Sequence, residues 1–362
     1  MTDRAVVNHA AITKVESRWN KQLNELNCHL HPLDSISTAC RTALKSLETT
    51  KGYLYGNDCM VGNLVLQINK FRFKDGKGDP KGFTVFLTDH GLPKGLLPRY
   101  RGNRLHVLFH ICGTLHQHRD LFIEFFTKGI VSCGGLRESI RKDFETEMAS
   151  LQIQCIGLLG KLITGPWMKA FYTSAASEEI NHVEGISIVR SIVQLLKEKA
   201  KDPLCLLKSS SDIFGRSLDV NDLTLQSLLR QPSNPDAFKE MMVVCINSII
   251  AVLERQYRRY FEMNITDQLV EETLSARNHN IDAEEVMGMF SAGKERAKNA
   301  NLDFLVARMR AKKNHVVPYL DEMTEQKRER VITWAIKRGR QARKVDKRSR
   351  KMSRGNSHDE SR

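Results

Sequence analysis

The sequence is short of the features that mark secreted and membrane proteins. Its eight cysteines include no CxxC pair, and several, such as Cys155 and Cys245, lie inside apolar runs. Cysteines spread in this way indicate reduced thiols and an intracellular protein rather than a disulfide framework. The start, MTDRAVVNHAAI, has no charged-then-apolar pattern, and the long apolar stretch MMVVCINSIIAVL is interrupted by Asn247 and Ser248. We therefore expect neither secretion nor a membrane span.

Catalytic fingerprints are also scarce, since the sequence has no GxSxG, kinase or dinucleotide-binding motif. The run GMFSAGKE approaches a phosphate-binding loop, but Glu295 stands where that loop needs a serine or threonine. His106 and His110 lie four residues apart, yet Val107 occupies the place of the glutamate base in an HExxH metal site. We interpret these histidines as hydrogen-bonded side chains of an amphipathic helix. Hydrolase and dehydrogenase activities therefore have no support.

Positive charge is concentrated near the end of the chain. The formal net charge is +14, and residues 337–354 hold ten cations against Asp346, a local net charge of +9. A surplus of this size favours a polyanionic partner, such as nucleic acid or an anionic membrane face. The same run is equally typical of a nuclear localisation signal, and we expect a nuclear protein. The cations that we assign to DNA binding here are Lys337, Arg338, Arg340, Arg343, Lys344, Lys347, Arg348, Arg350 and Lys351.

Apolar residues recur at helical spacing along most of the chain, which predicts a mainly α-helical protein. Asn234, Pro235 and Asp236 form a good start signal for one long helix. Two short strands are predicted at 60–68 and 83–87, on either side of an exposed turn at 74–82. Helices are predicted at 104–118, 120–126, 136–163, 166–172, 180–196, 219–229, 238–261, 282–290, 302–312 and 321–345.

Two short segments contain residues that could bind a metal. In CHLH, Cys28 and His31 are one helical turn apart, and the alternative to a metal site is a buried thiol beside a hydrogen-bonded imidazole. In HNIDAEEVMGMF, Asp282 and Glu285 have the spacing of a helix capping box, which explains Glu285 structurally. Glu284 is not used by that box, so its carboxylate is available as a metal ligand.

The segments TDRAVVN (2–8), CHLH (28–31) and NIDAEEVMGMFS (280–291) occur in an order that resembles a known family. The chain is similar to the C-terminal part of DDE-type DNA transposases of the hAT superfamily, which have an RNase H-like catalytic core. LPRYRGNRLHVLFH and GLLGKLITGPWMKAFY also resemble proteins of animal mobile elements. The resemblance implies a mainly α fold, in which a large helical insertion domain interrupts an incomplete RNase H-like α/β remnant.

The same resemblance assigns roles to individual residues. Asp3 matches the second catalytic aspartate and Glu284 the last carboxylate, with Glu285 as the fallback, so Asp3 and Glu284 would bind Mg²⁺ in a two-metal reaction. Cys28 and His31 match a structural CxxH near the active site. Trp167 resembles a tryptophan that stacks on a flipped base, although packing in the core is the alternative. Phosphate contacts are assigned to Arg99, Arg101 and Arg104, which are also ordinary surface arginines at a helix start.

These expectations define four segments of the chain. Residues 1–35 are the core remnant, 36–262 the helical insertion domain, 263–336 the C-terminal helices of the core, and 337–362 a basic disordered tail. Because no first catalytic aspartate precedes Asp3, we expect a catalytically inactive, transposase-derived protein that binds DNA, or a gene model that lost its first exons. Self-association stays open. The alternative function is a helical protein-interaction module with a nuclear localisation tail.

Overall fold

The computed structural model of this chain is mainly α-helical, as the apolar spacing predicts. It divides into two compact units, residues 1–280 and residues 281–362. None of the described helices is long and apolar enough to cross a lipid bilayer. The described residues are 6–53, 56–73, 78–100, 105–127, 135–172 and 180–341.

The first unit contains most of the helices. A π-helical turn (Gly160–Thr164) joins α8 to α9, and a 3-10 turn (Pro203–Lys208) follows α10. The helices of this unit are α1 (Val6–Trp19), α2 (His31–Thr50), α3 (Met60–Phe73), α4 (Pro80–Asp89), α5 (Val107–Gln117), α6 (Arg119–Thr127), α7 (Gly135–Glu145), α8 (Glu147–Leu159), α9 (Gly165–Phe171), α10 (His182–Lys201), α11 (Leu223–Leu228), α12 (Pro235–Glu262) and α13 (Asp267–Thr273). The second unit contains α14 (Ile281–Arg296), α15 (Leu302–Lys313), α16 (Val316–Asp321) and α17 (325–341).

Helix α8 is central to the first unit because it is apolar on all sides. Nearly every side chain from Ala149 to Leu159 is buried, as expected for a helix surrounded by other helices. It crosses α5 at two glycines, where a Cβ on Gly157 would lie only 3.0 Å from the Cα of Gly113. The absence of side chains at this crossing lets the two backbones approach closely, so the core forms around it.

Helix α12 is the longest described helix and packs against α2 and α10. Its start confirms the predicted signal, since Asn234 Oδ1 accepts a hydrogen bond from Ala237 N at 3.1 Å and Pro235 is the first helical residue. Residues such as Phe238, Met241 and Cys245 repeat at three and four residues and are buried. This stripe contacts the matching apolar stripe of α2, which closes the core on that side.

Both predicted strands are wrong. Residues 60–68 lie in α3 and residues 83–87 lie in α4. A short apolar run looks the same in a buried helix and a buried strand, so its periodicity cannot separate the two. The predicted turn is shorter than expected, because Asp79 Oδ1 accepts from Gly82 N at 2.7 Å and Pro80 already begins α4. Residues 74–77 lie outside the described residues.

Several predicted helix ends also move. The run 136–163 is interrupted because Thr146 Oγ1 accepts from Ala149 N at 3.1 Å and caps a new helix, α8. The predicted helix 321–345 is broken at 322–324, with α17 beyond the break. Helix α14 begins at Ile281, so Asp282 lies inside its first turn rather than at the N-cap that the capping box requires.

The coarse expectation of a mainly helical chain is confirmed, but the RNase H-like remnant is not shown. The part of residues 1–35 that the structure describes holds α1, an irregular segment and the first turn of α2. No β-strand occurs in the described ranges, and an isolated bridge joins Ser211 to Ser217. The α/β part of the fold therefore stays an expectation from the resemblance.

Candidate nucleic-acid interface

Helix α17 is exposed along its whole length and carries a net positive charge. Of its side chains, Arg328 and Val331 are half-buried and the others are exposed. Two glutamates, Glu325 and Glu329, oppose six cations, which leaves a net charge of +4 over 325–341. One ion pair joins this helix to the end of α16, between Arg328 and Asp321 at 3.8 Å. The cations are Lys327, Arg328, Arg330, Lys337, Arg338 and Arg340.

Trp334 lies in the middle of α17 with 66% of its surface exposed. Arg330 and Arg338 are four residues before and after it, so helical geometry places all three side chains on one face. Its flat ring, flanked by guanidinium groups, suits stacking on a base between two phosphate contacts. Sequence reasoning did not select Trp334, although the spacing of four on either side was visible.

The predicted DNA-binding cations are only partly placed. Lys337, Arg338 and Arg340 lie exposed on α17. Arg99 is exposed, and its guanidinium lies 5.0 Å from the centre of the Phe73 ring. The remaining predicted contacts lie outside the described residues, namely Arg101, Arg104, Arg343, Lys344, Lys347, Arg348, Arg350 and Lys351.

The predicted magnesium ligands do not form a metal site within the described part of the chain. Glu284 and Glu285 are both exposed in the first turn of α14, and Glu285 forms an ion pair with Lys313 of α15. Asp3 lies outside the described residues. Among the described histidines, cysteines and carboxylates, no group of three could hold a metal ion. Mg²⁺ stays an expectation from the resemblance.

Trp167 is packed as a core side chain. It is fully buried, and its indole Nε1 donates a hydrogen bond to the carbonyl oxygen of His29 at 2.7 Å. The ring also packs against Phe171 and Phe214, with centroids 5.3 and 6.2 Å away. With its one donor satisfied and both faces covered, Trp167 in this conformation has no surface on which a base could stack.

Cys28 and His31 form the thiol–imidazole pair that the structural alternative describes. Burial raises the pKa of the Cys28 thiol, but hydrogen bonds from His31 and from the backbone at Asn280 and Leu30 lower it, and the net pKa lies below the ordinary value. Leu30 N donates to Cys28 Sγ at 3.4 Å. The pair thus anchors the entry to α2, a place where the charged thiolate is stabilised by neighbouring donors.

Sequence reasoning missed a buried polar cluster around His29, which lies between Cys28 and His31 in the sequence. His29 is 1% exposed, its Nδ1 lies 2.6 Å from Tyr257 Oη, and its Nε2 lies 3.1 Å from the carbonyl oxygen of His182. Asn278 adds a backbone bond, since its carbonyl oxygen accepts from His29 N at 2.8 Å. No local signal could have found this cluster, because each of these partners of His29 lies more than 150 residues away from it along the chain.

The histidines of α5 and its flanks are held neutral by their surroundings. Burial, together with repulsion from His110 and Lys161, lowers the pKa of His106 to about 4. Burial also lowers the pKa of His116 to about 4, with Arg119 and Arg230 adding to the effect. The His106 and His110 rings lie 5.9 Å apart between centroids. Their setting agrees with side chains of a helix, but the predicted hydrogen bond is not found at His106, whose buried Nδ1 has no hydrogen-bond partner among the described residues.

Comparison with known proteins adds no relative to this picture. No family model matches the chain, no curated protein matches it, and no solved structure matches it.

Proposed function

We propose that this protein is a transposase-derived protein that binds nucleic acid through α17 and the cations that follow it in sequence. The resemblance of the three short segments supports the ancestry. The exposed charge of α17, with Trp334 at its centre, is the observation that supports the binding surface.

The length and charge of α17 suit a phosphate backbone. The helix is about 25 Å long at 1.5 Å per residue, and it carries six cations over that length. Cations that neutralise phosphates release condensed counterions, so the affinity should fall steeply as salt rises. If these cations only kept the helix in solution, replacing them would not change nucleic-acid affinity more than replacing exposed cations on another helix.

Trp334 favours unpaired bases over an intact duplex. A base stacked on an aromatic ring is worth about 1–3 kcal/mol, and any base can stack because each has a π face. Bases within a duplex already stack on their neighbours, so the contribution from Trp334 is available only where bases are exposed. The proposal is therefore a single strand, or a strand opened at an end, bound with little sequence preference.

Titration of the full chain with a labelled oligonucleotide of about 20 nucleotides tests this function, with a single strand and a duplex compared at about 50 to 200 mM salt. Trp334→Ala should weaken single-strand binding by roughly ten-fold, the value of one stacked base. Trp19→Ala is the matched control, because Trp19 is equally exposed at 66% and lies on α1. Equal losses in the two variants would contradict the stacking role.

The charge contribution needs a second pair of variants. Arg330→Glu with Arg338→Glu should lower the affinity and flatten the salt dependence, because each lost phosphate contact reduces the slope by about one unit. Lys239→Glu with Arg255→Glu makes the same change in net charge on two exposed cations of α12. If the α12 pair weakens binding as much as the α17 pair, the overall charge and not α17 is the cause.

The nuclear location is a separate part of the proposal. Removing residues 342–362 leaves α17 in place and removes seven of the ten cations in the basic run that resembles a localisation signal. We expect this variant to lose nuclear accumulation in cells while it keeps most of its single-strand affinity in vitro. Loss of affinity with nuclear accumulation unchanged would assign the opposite roles to the two segments.

A further inference from the structure

The second unit has very little core in its described part. Among residues 281–341, Leu305 alone is buried, at 3% exposure. Large apolar side chains of this unit are instead exposed to water. The most exposed of them are Met287, Leu302, Phe304, Val317, Tyr319 and Trp334.

Helices α14 and α15 form an antiparallel pair. Glu285 near the start of α14 forms an ion pair with Lys313 at the end of α15. Nearer the connecting segment, a Cβ on Gly293 would lie 3.2 Å from Leu305 Cδ2. The residue numbers add up to the same value in both contacts, as expected for two antiparallel helices in a constant register. Both contacts help to fix that register.

A groove of about 400 Å³ runs between these two helices. Its volume falls within the range of binding pockets. Small residues open the groove, and a Cβ on Gly288 would meet no atom within 4 Å. Methionine adapts its shape to different apolar partners, which is why it is common in grooves that receive helices. The floor is formed by Gly288, Met289, Ala292, Gly293, Leu305 and Met309.

The rim of the groove is positively charged. Arg296, Arg308 and Lys312 line it, all three are exposed, and no ion pair to any of them occurs among the described residues. The one carboxylate of the lining, Glu285, already forms its ion pair with Lys313. A second copy of this basic unit, or the basic end of this chain, would bring like charge to the rim, whereas a phosphate backbone would leave the apolar floor uncovered.

We propose that the α14–α15 groove binds an amphipathic helix of another protein, with apolar residues on one face and glutamate or aspartate beside them. The apolar face lies on the methionines and Leu305, and the acidic residues contact Arg296, Arg308 and Lys312. This helix covers the apolar floor of the groove. The surface is distinct from the Trp334 face of α17, so the protein binds nucleic acid and an acidic partner through different residues.

The probe is a synthetic peptide of about 18 residues, or five helical turns, with leucine at helical spacing and glutamate elsewhere. Its binding to the full chain is followed by fluorescence anisotropy, and its helicity by circular dichroism. Two comparison ligands are used, the same peptide with lysine in place of glutamate and a duplex of similar length. We expect saturable binding of the glutamate peptide, a gain of helicity, and at least ten-fold weaker binding of the lysine peptide.

Two substitutions locate the binding in the groove. A Cβ at Gly288 meets open space and Gly288→Leu raises helix propensity, so the helix should be retained while the added side chain obstructs the groove and peptide affinity falls at least ten-fold. Arg308→Glu should cause a similar loss. Arg310→Glu is its matched control, since Arg310 is exposed on the same helix but does not line the groove.

Four results would overturn the proposal. The first is that the glutamate peptide does not bind saturably, and the second is that Arg308→Glu and Arg310→Glu lower peptide affinity equally. The third is that Gly288→Leu leaves peptide affinity unchanged. The fourth is that the duplex displaces the peptide and that Gly288→Leu weakens duplex binding to the same extent. The last result would assign the groove to nucleic acid. None of these outcomes bears on single-strand binding through Trp334, so the two proposals fail separately.

Discussion

Trp167 and Trp334 illustrate how little a residue type says about its role. Both are tryptophans in helices, yet one is fully buried and the other is 66% exposed. Trp167 resembles a base-stacking tryptophan of the family, with packing in the core as the alternative, whereas sequence reasoning did not select Trp334. The difference arises from the neighbours, since Phe171 and Phe214 pack against the first ring, whereas the second lies on an exposed helix with Arg330 and Arg338 four residues to either side.

Replacing Trp167 with alanine should destabilise the protein by about 3–5 kcal/mol, the usual cost of removing a large buried ring. The loss of the indole bond to the His29 carbonyl also leaves a buried acceptor unsatisfied. Urea unfolding followed by circular dichroism measures the change. Trp19→Ala, at an exposed position, should stay within about 0.5 kcal/mol of the parent. A small effect of Trp167→Ala would mean that the ring is not part of the core in solution.

At the scale of single elements, α3 shows why a helix was mistaken for a strand. The first amides of α3 have partners from outside the helix, since Met60 N donates to Glu48 Oε1 at 2.6 Å and Val61 N donates to Gln152 Oε1 at 2.9 Å. Gln152 Nε2 also donates to Glu48 Oε1 at 2.6 Å. These partners from distant segments bind the first amides of α3, so part of what holds its start is not recorded in the sequence next to it.

Removing the Glu48 carboxylate should loosen the start of α3. In Glu48→Ala the buried amide of Met60 loses its acceptor, which costs about 1–3 kcal/mol. Hydrogen exchange of residues 60–64 should become faster, while exchange at the centre of α12 stays slow. The control is Glu198→Ala, which removes an exposed carboxylate that pairs with Lys201 on the surface of α10. Unchanged exchange at 60–64 would show that packing alone holds the start of α3.

Helix α12 is the opposite case, because the residues that predict it lie within it or next to it in the sequence. Asn234, Pro235 and Asp236 mark its start, and apolar residues continue at helical spacing to its end. Such a helix can be predicted from the sequence because the residues that stop and start it lie next to it. The structure adds only its partners, α2 and α10.

At the scale of the whole molecule, burial differs sharply between the two units. The first unit holds nearly all of the buried side chains, and the described part of the second holds Leu305 alone. The boundary near residue 280 is not arbitrary, because Asn278 still belongs to the first core. Its carbonyl oxygen accepts from His29 N at 2.8 Å, and its Nδ2 donates to the carbonyl oxygen of Ile180 at 2.7 Å.

A chain cut after Asn280 should therefore fold by itself with a cooperative thermal transition close to that of the full chain. A chain cut after Ala276 loses both bonds of Asn278, and its midpoint should fall by several degrees, since about 1 kcal/mol shifts the midpoint of a domain this size by roughly 2–4 °C. Differential scanning calorimetry compares the two. If both cuts give the same midpoint, the contacts of Asn278 contribute nothing to the first unit.

The sequence by itself determined that the chain is mainly helical, where its basic run lies, and where long amphipathic helices such as α12 begin. Those properties depend on residues close to one another in the chain, and the spacing of apolar and charged side chains records them directly. Only the tertiary structure decided that α3 is a helix, that Trp167 is buried and Trp334 exposed, and that a groove opens between α14 and α15. Each of these depends on contacts between distant segments, as in the bonds from Glu48 and Gln152 to α3, and a local pattern does not contain them.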